Sequence, residues 1–147
     1  MQFKSSGKVI VSAPIAKVSA FINDPSQVSS CIPDSQGFKK TGEKSFVVTT
    51  NLSLGAVHGS LSMNVEIEKQ DQENVKYTIT GSGLGSTAKI ILKTGLSAKG
   101  DKTELSWEAA AEFRGIVSGI GEQIIKNVTN EKVNGIIANM KAKLEAG

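Results

Sequence analysis

One feature dominates this sequence: a run of period-2 alternation from Phe46 to Phe113. Successive side chains on a strand point to opposite faces, so alternation of apolar and polar residues marks half-buried strands. Phe46, Val48, Thr50, Leu52 and Leu54 fall on one face. Val57, Gly59, Leu61, Met63, Val65 and Ile67 do the same in the next segment, against a polar side of His58, Ser60, Ser62, Asn64, Glu66 and Glu68. Val75, Tyr77 and Ile79 continue it, as do Ala88, Ile90, Leu92, Leu96 and Ala98, and finally Leu105, Trp107, Ala109, Ala111 and Phe113. The breaks between them are short: Gly55-Ala56, Gln70 to Asn74, Gly81 to Gly85, and Lys99 to Lys102. Short connections predict an antiparallel meander, with one face covered and the other wet.

The flanks supply the cover. Phe3 to Ser12 reads as a strand. Pro14 suits the first turn of a short helix carrying Ile15, Val18, Phe21 and Ile22, with Ser12 as its cap. Asn23-Asp24-Pro25 ends that helix, and a second spans about Ser26 to Cys31. The last segment, Val117 to Leu144, is a long helix. Its apolar residues drift around the helix axis, so it bends near Asn127 to Asn134 or meets different partners along its length. The order is strand, two short helices, a run of strands and one long C-terminal helix. That is an α+β domain over residues 1–147 with its helices on one face of the sheet.

The inward face is unevenly filled. Met63, Tyr77 and Trp107 share it with Gly59, Gly81, Ala109 and Ala111. Interiors pack near crystal density, so such a face either lets the helix approach closely or leaves space. The expectation is an apolar pocket between helix and sheet, lined by Val48, Leu61, Met63, Tyr77, Ile79, Trp107, Ala109, Ala111, Ile124 and Val128. Tyr77 and Trp107 each add a polar tip that could orient a ligand.

Other functions have little to stand on. The 17 basic and 14 acidic residues give a net charge of +3, with no basic block, so no nucleic-acid partner is expected. Cys31 is the only cysteine, and no apolar stretch approaches the ~18 residues of a membrane span. A reducing cytoplasmic setting follows. His58 is the only histidine, on the polar side of its strand, with no cysteine or histidine cluster to complete a metal site. Glu66 with Glu68, and Glu104, Glu108 and Glu112, read as solvated strand faces. No catalytic residue, metal or cofactor is assigned.

Several segments together resemble the CoxG family, named for a subunit of carbon monoxide dehydrogenase. They are Asp24-Pro25 with Cys31-Ile32-Pro33, Leu54 to Gly59, Tyr77 to Gly83, Thr103 to Trp107, and Phe113-Arg114-Gly115 through Gly119-Ile120-Gly121. The resemblance implies a START-like (SRPBCC) helix-grip fold, in which a curved antiparallel sheet wraps around a long C-terminal helix and closes an apolar cavity. It also implies an accessory role beside a molybdenum-containing carbon monoxide dehydrogenase or related hydroxylase. The partners would be an apolar small molecule, quinone or lipid-like, and the hydroxylase subunits. A peripheral contact with the inner face of the membrane stays open, though the C-terminal extension of some relatives is absent. Asp34 stands where the family has glycine, so this loop need not share the family backbone. Two alternatives remain: a polyketide cyclase or hydratase-like enzyme, and a protein–protein adaptor without ligand. Ligand identity and oligomeric state stay open.

Overall fold

The computed structural model describes residues 2–54 and 57–146. Strand β1 (Gln2–Val11) leads through α1 (Ile15–Ile22) and α2 (Pro25–Ser30) to six further strands. These are β2 (Ser35–Gly42), β3 (Ser45–Leu54), β4 (Val57–Lys69), β5 (Asn74–Gly83), β6 (Ser86–Lys99) and β7 (Lys102–Gly115). A 3-10 turn (Ile116–Gly119) then feeds α3 (Glu122–Ala146). All seven strands form one antiparallel sheet in the order β1-β7-β6-β5-β4-β3-β2. The long helix crosses the apolar face, which makes this an α+β helix-grip architecture.

The alternation maps onto burial. Phe46, Val48, Met63, Val65, Ile67, Val75, Tyr77 and Ile79 are buried, while Ser62, Asn64, Glu66 and Glu68 are exposed. The Gly55-Ala56 turn, and the side chains of Leu52, Leu54 and Val57, lie outside the described residues. Strand β5 runs on to Gly83, so the glycine-rich break is a two-residue turn. Its residues Leu84 (φ 55°) and Gly85 (φ 66°) are both left-handed, the geometry that suits a twisted hairpin.

Strand β2 is not read from the sequence, and two expectations change. Strand β2 carries no alternation; its residues are almost all exposed, and Phe38 alone stacks on Phe46, with ring centroids 5.6 Å apart. Ser12 does not cap α1: Pro14 is the N-cap, without a side-chain bond, whereas Asp24 caps α2 by accepting from the Ser26 N–H at 3.0 Å. The long helix begins at Glu122, because Val117 falls in the preceding 3-10 turn.

Helix α3 is unbroken, and its buried residues are Ile125, Thr129, Val133, Ile137, Met140 and Leu144. The drift in its apolar pattern reflects a change of partner. Ile125 packs in a small cluster with Phe3, near Phe113, Ile120 and Val128. Val133, Ile137, Met140 and Leu144 join the main core with α1, α2 and the sheet. Lys17 ties the far end down, its Nζ donating to the Leu144 carbonyl at 3.0 Å.

Candidate functional site: an apolar cavity under the long helix

Between the two clusters the packing is incomplete. A cavity of about 90 Å³ lies there. Leu61, Met63, Ile79, Ala88, Ile90 and Leu92 form its floor on β4 to β6. Ile125, Val128, Thr129, Lys132, Val133 and Ile136 of α3 form its roof, with Ile32 and Phe113 at the sides. Floor and roof follow from the two periods, 2 on the strands and 3.6 on the helix. A single water needs roughly 10–15 Å³ measured this way, so the space is larger than one solvent site. It falls short of the ~300 Å³ at which drug-sized ligand pockets begin. A larger guest therefore requires the roof to move. The first two turns of α3 bury only Ile125, which makes them the more easily displaced end.

The small residues account for less of this space than their number suggests. A Cβ on Gly59 would lie 2.3 Å from Leu84 Cδ2, and one on Gly81 would lie 3.0 Å from Leu61 Cδ2. Neighbouring leucines thus fill those two gaps. Ala88 does border the cavity.

Of the ten residues expected from sequence, Leu61, Met63, Ile79 and Val128 line the cavity together. Val48, Tyr77 and Ala109 are buried in the main core beside it, and Ala111 is buried opposite Phe3 on β1. Trp107 lies over Gly7, where a Cβ would come within 2.4 Å of the indole. Its Nε1 is buried without a hydrogen-bond partner. Ile124 is 39% exposed, and Ile125 takes the inward position. The apolar pattern alone sets the phase of α3 one residue off, because the buried stripe includes the polar Thr129, whose hydroxyl donates to the Ile125 carbonyl at 2.8 Å.

The hydroxyls of Thr50, Thr94 and Tyr77 on the inner face are committed to the fold. Thr50 donates to the Pro33 carbonyl at 2.9 Å, Thr94 to Val75 at 3.1 Å, and Tyr77 to Ile22. Burial pushes the Tyr77 phenol above its usual range. Burial also raises the Cys31 thiol, whose Sγ faces the Gln27 carbonyl at 3.4 Å, so this cysteine is held as a neutral filler. His58 is exposed, with Nδ1 2.9 Å from Ser53 Oγ.

Lys132 escaped the sequence reading. It lines the cavity between Thr129 and Ile136 on the same helix face, and that spacing was the available signal. Its Nζ reaches the Asn51 carbonyl at 3.1 Å, Thr50 Oγ1 at 3.4 Å and Asp34 Oδ2 at 3.6 Å. Asp34 adopts φ 56°, the left-handed backbone that the family's glycine would permit. The loop before it is pressed on α3, since a Cβ on Gly135 would lie 2.8 Å from Pro33 Cγ.

A seven-stranded antiparallel sheet gripping a long C-terminal helix over an apolar cavity defines a START-like, helix-grip protein. Solved structures share it. A conserved protein from Geobacillus kaustophilus matches with a TM-score of 0.85 at 19% identity, covering 97% of this chain and 95% of that one. A START superfamily protein from Mycobacterium smegmatis matches at 0.74 and 12% identity, covering 97% of each chain. The Zhui aromatase/cyclase from Streptomyces sp. R1128 matches at 0.70 and 11% identity, covering 99% and 94%. No curated protein matches the sequence significantly. The model of the CoxG family, the carbon monoxide dehydrogenase subunit of that name, matches residues 7–145, and the chain belongs to that family.

Proposed function

We propose that this chain is a non-catalytic accessory protein that holds an apolar small molecule, quinone- or lipid-like, between α3 and the sheet. The observation that carries this reading is the cavity itself, apolar on nearly every side and free of acid or histidine among its described lining residues. Leu61, Met63, Ile79 and Val128 contact the guest, and α3 lifts to admit it.

An enzyme of the cyclase kind would need polar groups turned toward a substrate. The hydroxyls of Thr50, Thr129 and Ser86 instead donate to backbone carbonyls, which favours holding over chemistry. The family's name supports a partner among the subunits of a carbon monoxide dehydrogenase; that this is a molybdenum-containing enzyme or a related hydroxylase is part of the proposal. On this reading the protein works in the cytoplasm, with a peripheral contact to the inner face of the membrane left open. Separately, no described helix is long and apolar enough to cross a membrane.

Uptake of the neutral fluorophore N-phenyl-1-naphthylamine by delipidated protein tests the reading. Saturable, one-to-one enhancement is expected, and it should be displaced by quinones or lipids. Absence of saturable uptake, with every candidate guest equally ineffective in an equilibrium dialysis assay, would overturn it.

A further inference from the structure

Lys132 is the only charged side chain in the described lining of the cavity, and it also borders a surface groove of about 630 Å³. The groove arises from the sheet's edge. Strand β2 pairs with β3 only as far as Ser35 opposite Thr50, so the edge of β3 beyond it is uncovered where α3 passes. Thr50 faces the cavity; the next residue, Asn51, borders the groove. The Lys132 ammonium, bonded to both, sits where the two faces of the strand meet. Val128, one turn earlier on α3, likewise borders both spaces. One turn of helix is their common wall.

We infer that cavity and groove are two halves of one site for an amphiphile: an apolar chain or ring inside, and an uncharged, oxygen-rich head in the groove. The inference rests on the apolar-guest reading above and specifies the guest's other end. Asn51, Ser53 and Ser60 give the groove uncharged hydrogen-bonding groups suited to a polyol, ester or amide head, and His58 adds a ring nitrogen beside them. A head oxygen at the common wall accepts from Lys132, whose flexible stem can swing to meet it. Charge sets the selectivity. The single ammonium already faces Asp34, and Glu131 adds a second carboxylate, so an anionic head would sit between two acids. A cationic head would have to pass the ammonium itself.

The test is a set of eight-carbon probes observed by methyl and amide NMR: octyl glucoside, octanoate, octylammonium and octane. Octyl glucoside should shift the Met63 and Ile79 methyls together with the Asn51 and Ser60 amides. It should bind at least tenfold tighter than octanoate or octylammonium. Lys132→Met should weaken it at least fivefold, Lys132→Gln less, and Lys126→Met on the exposed side of α3 should leave it alone; the amide spectra report whether each variant is folded. Methyl shifts without groove shifts, or octanoate or octylammonium binding as well as the glucoside, would overturn the two-part site while leaving the apolar-guest reading intact. Silence of the cavity methyls toward all four probes, octane included, would overturn both.

Discussion

The Tyr77 hydroxyl donates to the backbone carbonyl of Ile22, tying the middle of β5 to the last residue of α1. The bond is buried at both ends, so it belongs to the fold and not to ligand recognition. Tyr77→Phe leaves that carbonyl unpaired and should cost about 1–3 kcal/mol in denaturant titration, with fluorophore uptake unchanged. Because burial raises the phenol's pKa, the native state keeps a proton that the unfolded chain sheds near pH ~10. This contribution is full below that pH and is lost as pH rises. Tyr77 is the only tyrosine, so tyrosinate absorbance should appear with unfolding and not before it.

Ala88 borders the cavity and Ala109 sits in the packed core beside it. Ala88→Leu should fill empty space, leaving stability equal or higher and reducing uptake at least tenfold. Ala109→Leu has no such space and should cost about 1–3 kcal/mol by overpacking. Thermal melts paired with uptake measurements separate the two.

Gly7 faces Trp107 across the β1–β7 pair. In an ordinary strand position, alanine is preferred to glycine by roughly 0.5–1 kcal/mol. Here the new Cβ would lie 2.4 Å from the indole, so Gly7→Ala should destabilise instead. Trp107 is the only tryptophan, and its emission should shift in the same variant.

Asp34 combines a left-handed backbone with an exposed ion pair to Lys132 at 3.6 Å. Asp34→Gly relieves the first and loses the second, which is worth about 0–1 kcal/mol at such exposure. Its stability should stay within about 1 kcal/mol of the parent. Asp34→Val, β-branched at positive φ, should lose clearly more in the same thermal melts.

The strands from β3 to β7 were legible because each carries an apolar residue at nearly every second position, with short breaks between them. Strand β2 was not, because Gly37, Lys39, Lys40 and Gly42 bury nothing and the strand exists by pairing to β3. The floor of the cavity was partly legible in Leu61, Met63 and Ile79. Its roof was less so, since Thr129 and Lys132 occupy inward or bordering positions on α3 that polarity alone assigns to solvent. Tyr77 and Trp107 were recognisable as inward aromatics, but sequence could not reveal that Ile22 and Gly7 already occupy their surroundings.

Native mass spectrometry of the protein purified from its own host, followed by denaturing extraction, addresses the central claim most directly. A stoichiometric apolar or amphiphilic small molecule, released on denaturation and excluded by Ala88→Leu, is the predicted result. A bare mass for the native protein, with no molecule recovered from either form, would contradict it.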